Sequence, residues 1–133
     1  MPIAILVAAL AAQNPSPPSI EGRWKSPGGN SIIEIAACGT STCGTVAWAS
    51  AKAKQDSRKV TDQLVGTQLL TGLAQDARGR WHGKLFIPDK NMRVTAKLQL
   101  VADQLRVSGC AAGKALCKST LWSRVDGPLP ASD

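Results

Sequence analysis

The sequence has few of the residue types on which enzyme active sites usually depend. His82 is the single histidine, tyrosine is absent, and nine acidic residues face sixteen basic ones. The sequence contains no Gly-x-Ser-x-Gly elbow, no His-Glu-x-x-His pair, no phosphate loop and no dinucleotide fingerprint. We therefore expect neither catalysis nor a bound cofactor or metal, and we interpret His82 as a surface residue of a strand.

Long hydrophobic runs are also missing. The first apolar run, residues 1–12, is shorter than the roughly 20 residues that a membrane span requires. It ends in Ala9-Leu10-Ala11, a pattern that signal peptidases accept, although no basic residue precedes Arg23. We predict an export signal over 1–12, truncated at its basic end, and a periplasmic or secreted protein. A Pro/Ser-rich linker over 13–19, one domain over 20–126 and a disordered tail over 127–133 are predicted to follow.

Aromatic residues are scarce for a chain with so much positive charge. The formal net charge is +7, while the aromatic rings are four tryptophans and one phenylalanine. Readers of single-stranded nucleic acid combine charge with stacking rings, so this composition argues against that class. Basic residues cluster at Lys52, Lys54, Arg58 and Lys59. The cluster predicts either a solvated, mobile loop or a contact with an anionic envelope surface.

Short strand-like runs alternate with turn residues along the domain, which is typical of all-β proteins. The alternation is clearest in residues 93–100, where Val94, Ala96 and Leu98 share one face. Only residues 51–64 break the rhythm, and we predict a loop or a short helix there. We predict an up-and-down antiparallel β-barrel, with a sandwich as the alternative, because closure removes exposed strand edges. The predicted strands are 20–25, 31–37, 43–49, 67–73, 80–87, 92–101, 104–110 and 116–125.

The cysteines fall into two pairs, Cys38-x4-Cys43 and Cys110-x6-Cys117, and each pair brackets a predicted turn. Of the three possible connectivities, local pairing needs the least chain movement, since a hairpin brings both members of a pair close together. Four thiolates could instead hold zinc, but these spacings miss the usual zinc knuckle and an exported chain meets an oxidising compartment. We predict the disulfides Cys38–Cys43 and Cys110–Cys117.

Each tryptophan lies near the end of a predicted strand. Large rings at such positions either fill the barrel core or form a cup for a ligand, because they offer a large apolar area. If a cup exists, the residues we predict for it are Trp48, Trp81, Phe86 and Trp122.

Gly22-Arg23-Trp24 resembles the Gly-x-Trp motif of lipocalin-like barrels, whose last strand supplies an arginine that packs over the tryptophan. Arg124 stands in the last predicted strand of this chain. The resemblance implies that Trp24 and Arg124 form a structural pair that closes the barrel, with the guanidinium over the indole face.

Nearly all of the domain carries a series of short motifs: Gly22-Arg23-Trp24, Cys38 through Cys43-Gly44-Thr45-Val46-Ala47-Trp48, Val65-Gly66, Leu69-Leu70-Thr71-Gly72-Leu73, Trp81-x-Gly83, Pro88-Asp89, Gly109-Cys110 and Cys117-Lys118-Ser119-Thr120-Leu121-Trp122-Ser123-Arg124-Val125. In the order and spacing of these motifs the chain resembles domain-of-unknown-function family 2147. The resemblance implies a secreted bacterial domain with a lipocalin-like barrel and no established activity.

Two functional hypotheses remain after these exclusions. The first is a module that binds a small apolar or amphiphilic molecule in or at the mouth of the barrel. The second is a structural or interaction protein of the cell envelope that uses its basic surface and has a filled core. A cavity would favour the first, and a solid core the second.

Overall fold

The computed structural model describes residues 19–111 and 116–131. The predicted export signal lies outside these residues, as do residues 13–18 of the predicted linker and 132–133 of the predicted tail. Within the described part of the chain, no helix combines the length and apolar character needed to cross a membrane.

Eight antiparallel strands of the described residues form a closed barrel in sequence order. Each strand pairs with its neighbours along the chain and β8 returns to pair with β1, which confirms the predicted all-β, up-and-down barrel. The strands are β1 (Gly22–Lys25), β2 (Ser31–Cys38), β3 (Ser41–Ala49), β4 (Gln68–Gln75), β5 (Trp81–Ile87), β6 (Met92–Val101), β7 (Gln104–Ala111) and β8 (Leu116–Val125).

The two ends of the barrel differ, and we name them by their connections. The mouth is the end that carries the connections β1–β2, β3–β4 and β5–β6, and it is the end where β7 finishes and β8 begins. The floor is the opposite end, where the chain enters β1 and leaves β8. Between them, alternate residues of the strands point inward and bury an apolar core. The most deeply buried members of the core include Trp24, Ile33, Ile35, Val46, Leu70, Leu73, Leu98 and Leu105.

The floor is closed by Trp24 and Arg124, as the lipocalin-like resemblance implies. Trp24 is fully buried, and its Nε1–H donates to the Ile20 carbonyl at 2.8 Å. The Arg124 guanidinium carbon lies 4.2 Å from the centroid of the Trp24 ring, a cation–π distance. Its nitrogens donate to the carbonyls of Glu21 and Ser19 at 3.0 and 2.8 Å. One side chain therefore ties β8 to the segment that leads into β1.

The glycine of this motif has a steric role. Gly22 has φ +124°, and a Cβ placed there would lie 2.8 Å from Arg124 Nη1. Only glycine adopts this backbone conformation without strain while leaving room for the guanidinium. The motif thus needs glycine two positions before the tryptophan because the arginine that covers Trp24 occupies the space beside it.

Both disulfides join neighbouring strands. Cys38–Cys43 links β2 to β3 across the turn Gly39-Thr40, and Cys110–Cys117 links β7 to β8. These are the pairs predicted from the spacing, and no cysteine is left free. All four cysteines are therefore bonded in disulfides, and none of them offers a thiolate to zinc.

The segment between β3 and β4 contains the helix α1 (Ala51–Asp56). Ser50 caps it, because its hydroxyl accepts a hydrogen bond from the Ala53 N–H at 3.1 Å. One turn apart on the helix, Lys52 Nζ and Asp56 Oδ2 lie 2.8 Å from each other. Of the two alternatives for this segment, a short helix is therefore the one adopted, and it neutralises part of its own charge.

Candidate functional site

An open cavity of about 480 Å³ lies at the mouth of the barrel. It is formed by one half of the wall, from β5 to β8, together with the turn Pro88–Lys90 that connects β5 to β6. Its outer rim reaches solvent, since Leu116 is 69% exposed and Met92 is 40% exposed. The residues that line it are Leu85, Ile87, Lys90, Met92, Val94, Val107, Gly109, Ala111, Leu116, Cys117, Lys118, Thr120 and Trp122.

The register of the strands explains why these residues meet. Thr120 pairs with Val107, Lys118 with Gly109, and Leu116 with Ala111. These pairs are spaced by two residues, so they follow one face of the sheet. That face continues to Trp122, which is buried among the core residues and forms the bottom of the cavity.

Glycine at position 109 leaves space in this wall. A Cβ at Gly109 would lie 3.0 Å from Val94 Cγ2 and 3.6 Å from Leu85 Cδ2. Opposite it on β8 stands Lys118, one of the residues that line the cavity. The cavity therefore exists where the inner face carries a glycine and an alanine instead of the large aliphatic residues found nearer the floor.

The described residues of the cavity wall carry two ionisable side chains, Lys90 and Lys118, and both are exposed. Two carboxylates of the nearby mouth loops, Asp56 and Asp89, do not line this cavity. Asp56, by its hydrogen bond and its charge, and more weakly Asp89, raise the pKa of Lys52 on α1. Asp56 and Asp89 line a separate depression of about 330 Å³ beside that helix. The larger cavity thus combines a mostly apolar wall with two cationic side chains.

The structure does not bring the four predicted cup residues together. Trp122 lines the cavity, but Trp81 packs against the core at the floor end of β5. Phe86 lies between the cavity residues Leu85 and Ile87 and faces outward, with the Arg93 guanidinium carbon 4.5 Å from its centroid. Trp48 donates its indole N–H to the Ala131 carbonyl at 3.2 Å.

Sequence reasoning missed the two lysines and Leu116 of the cavity wall. The signal was present in β8, because residues two, four and six positions before Trp122 share its face. Those residues are Thr120, Lys118 and Leu116. The buried Trp122 therefore predicts that Lys118, four residues earlier in β8, also faces inward.

His82, which we interpreted as a surface residue, lies on β5 near the floor and contacts Asp76. Its Nε2 is 2.7 Å from Asp76 Oδ2, while Asp76 Oδ1 accepts from the backbone N–H groups of Arg78 and Arg80. The hydrogen bond from His82, reinforced by those backbone donors, lowers the pKa of Asp76 to about 2. The carboxylate therefore acts as an acceptor that fixes the β4–β5 turn.

We expect Asp76→Asn to destabilise the protein at neutral pH but not in acid. A lowered pKa in the folded state means that ionised Asp76 stabilises the fold above its unfolded pKa of about 3.9. That contribution disappears as the pH falls toward about 2. Urea titrations between neutral and acid pH should show the stability gap between wild type and variant closing in this window. Asp62→Asn, at an exposed loop position, is the control, and a gap that does not change with pH would contradict the assignment.

A closed floor, a filled lower core and an open apolar mouth define a small up-and-down antiparallel β-barrel. The chain belongs to the bacterial family described as "Uncharacterized protein conserved in bacteria (DUF2147)", whose model matches residues 22–124. This range runs from the Gly-x-Trp motif to the arginine that covers it. No curated protein matches the chain. No solved structure matches it either.

Proposed function

We propose that this protein is a non-catalytic binding module that holds a small apolar or amphiphilic molecule in the cavity at the barrel mouth. The observation that carries the proposal is the uneven filling of the barrel. Side chains pack the floor, whereas about 480 Å³ remains open at the mouth. Small-molecule sites typically measure about 300–1,000 Å³ and have mostly apolar walls.

We further propose that the protein works outside the cytoplasm. Two disulfides support this, since such bonds form and persist in oxidising compartments. The apolar start of the chain, with its small-x-small end, is the expected export signal.

A series of straight-chain alcohols tests the binding proposal without involving charge. Burial of each additional CH₂ contributes about 0.8 kcal/mol, so affinity should rise about fourfold per carbon until the cavity is full. Bromination at the chain end supplies a fluorescence quencher, and Trp122 at the bottom of the cavity is the reporter. The signal should be lost in Trp122→Phe while an unlabelled alcohol still competes in the wild type.

We expect Thr120→Phe to lower the affinity for dodecanol at least about tenfold, because the added ring occupies the middle of the cavity wall. Leu121→Phe is the matched control. Leu121 is adjacent in β8 but is 43% exposed and does not line the cavity. Calorimetric titration of the three proteins measures the effect. Equal affinity of wild type and Thr120→Phe would place the alcohol outside this cavity and contradict the proposal.

A second candidate function is contact with an anionic envelope surface through Lys52, Lys54, Arg58 and Lys59. The observation that favours it is position, since the segment carrying these residues belongs to the mouth of the barrel, the same end as the cavity. Arg58 and Lys59 are exposed and form no salt bridge with the residues that the structure describes. Binding to anionic vesicles that weakens with salt, without any uptake of alcohols, would favour this function over the first.

A further inference from the structure

Lys118 occupies an unusual position for a charged residue. It lies on the face of β8 that continues to Trp122, and its partner on β7 is Gly109. That face of β7 is the inner one, because a Cβ built at Gly109 would contact the buried side chain of Val94. Strand alternation therefore directs Lys118 to the inside of the barrel wall. Lys118 is nevertheless exposed, because it stands near the open mouth, so its ammonium group is accessible to a ligand that enters the cavity.

Lys90 approaches the same cavity from another element. It ends the turn Pro88–Lys90 at the mouth and lines the cavity together with Lys118. Neither lysine forms a salt bridge with any residue in the described ranges 19–111 and 116–131. Two carboxylates of the mouth, Asp56 and Asp89, line the separate depression beside α1, and Asp62, between α1 and β4, lines neither cavity.

The wall below these lysines is apolar. Leu85, Val94, Val107 and Trp122 extend from the rim to the bottom of the cavity. A molecule that satisfies both parts needs an anion at one end and a hydrocarbon at the other. The hydrocarbon would lie deep and the anion would remain at the mouth, where it keeps part of its hydration.

We propose, as an extension of the proposed function, that the cavity selects anionic amphiphiles of the alkyl carboxylate class, with the headgroup paired to Lys118 and Lys90. Charge complementarity carries this assignment, because the described wall offers cations and no carboxylate. A neutral alcohol of equal chain length fills the apolar part but leaves both lysines unpaired. A cationic amphiphile is repelled by them.

The test compares dodecanoate, dodecanol and dodecyltrimethylammonium by calorimetric titration of the full chain, with the two ionic compounds below their micellar concentrations and dodecanol below its solubility limit. The wild type should bind dodecanoate about tenfold more tightly than dodecanol, since a charge-assisted pair adds to the same apolar contact. The cationic compound should bind more weakly than dodecanol. The preference for dodecanoate should also shrink as salt is added, which a purely steric effect would not do.

Lys90→Gln with Lys118→Gln should abolish the preference for dodecanoate over dodecanol. The matched control is Arg58→Gln with Lys59→Gln, which removes the same charge from the mouth end at positions that do not line the cavity. This control should keep the preference. If the control loses it and the cavity variant does not, the headgroup binds elsewhere and the inference is overturned.

The result for dodecanol separates this inference from the proposed function. Equal binding of dodecanol and dodecanoate by the wild type overturns the headgroup assignment and leaves the binding module intact. Failure of the wild type to bind any of the three compounds overturns both proposals together.

Discussion

Trp24→Ala is expected to lower the free energy of unfolding by about 3–5 kcal/mol, the range for removing a large buried aromatic side chain. Trp24 has no exposed surface and is the largest of the fully buried side chains. The substitution also removes the indole donor to the Ile20 carbonyl and the surface on which the Arg124 guanidinium lies. Urea titration of the disulfide-bonded protein measures the loss.

Two further variants divide the contribution of Trp24 into parts. Trp24→Phe keeps an aromatic ring under Arg124 but lacks the indole N–H, so its loss should be smaller than that of the alanine variant. Trp48→Ala is the control for tryptophan content, because Trp48 is only partly buried and contacts Ala131 outside the core cluster. A loss below about 1 kcal/mol for Trp24→Ala would show that the floor does not depend on this ring.

Gly83→Ala is expected to destabilise the fold by at least about 1–3 kcal/mol, the usual cost of forcing an extra carbon into a packed site. A Cβ at Gly83 would lie 2.6 Å from the Thr71 carbonyl oxygen and 2.8 Å from Leu73 Cδ2. The first contact is with backbone, at a point where the register between β4 and β5 is interrupted after Thr71. Backbone in a closed barrel cannot move aside without disturbing the neighbouring strands.

Gly109→Ala provides the comparison for Gly83→Ala. Both glycines lie on the inner face with ordinary φ values, but at Gly109 the nearest atoms are the side-chain carbons Val94 Cγ2 and Leu85 Cδ2. Those side chains line the open cavity and have room to shift. We expect a loss below about 1 kcal/mol, offset in part by the reduced freedom of the unfolded chain. Equal losses from the two variants in urea titration would contradict the steric argument.

The barrel and its floor could be predicted from the sequence because both depend on local patterns. Alternation as regular as that of residues 93–100 defines a strand with one buried face, and the turn residues define the hairpins. The cysteine pairs follow from the same hairpins. The Trp24–Arg124 pair required the resemblance to lipocalin-like barrels, since nothing local links residues so far apart.

The predicted cup depended on finer geometry that the sequence pattern does not contain. Counting by twos places Trp48 on the inner face with Val46, but β3 has a bulge between their positions, because Ile32 pairs with Trp48 and Ile33 with Val46. As a result Ala49, next to Trp48, is buried in the core instead.

Phe86 presented a different difficulty. Its neighbours Leu85 and Ile87 are also apolar, so the pattern does not show which face of β5 is buried. The cavity itself arises from the small residues Gly109 and Ala111 and from the position of the mouth loops. The sequence shows that positions 109 and 111 are small, but it does not show that the packing of the strands leaves open space beside them.

The short first strand has a consequence for how the ring is assembled. β8 runs from Leu116 to Val125, yet it pairs with β1 only through Ser123, Arg124 and Val125. Every other pairing joins consecutive strands, so this seam is the one joint that brings together distant parts of the chain. Its closure carries the largest single loop-entropy cost of the topology, so we expect this seam to form late in folding. Arg124 strengthens this seam, because opening it also disrupts the stack on Trp24 and the hydrogen bonds to the Glu21 and Ser19 carbonyls.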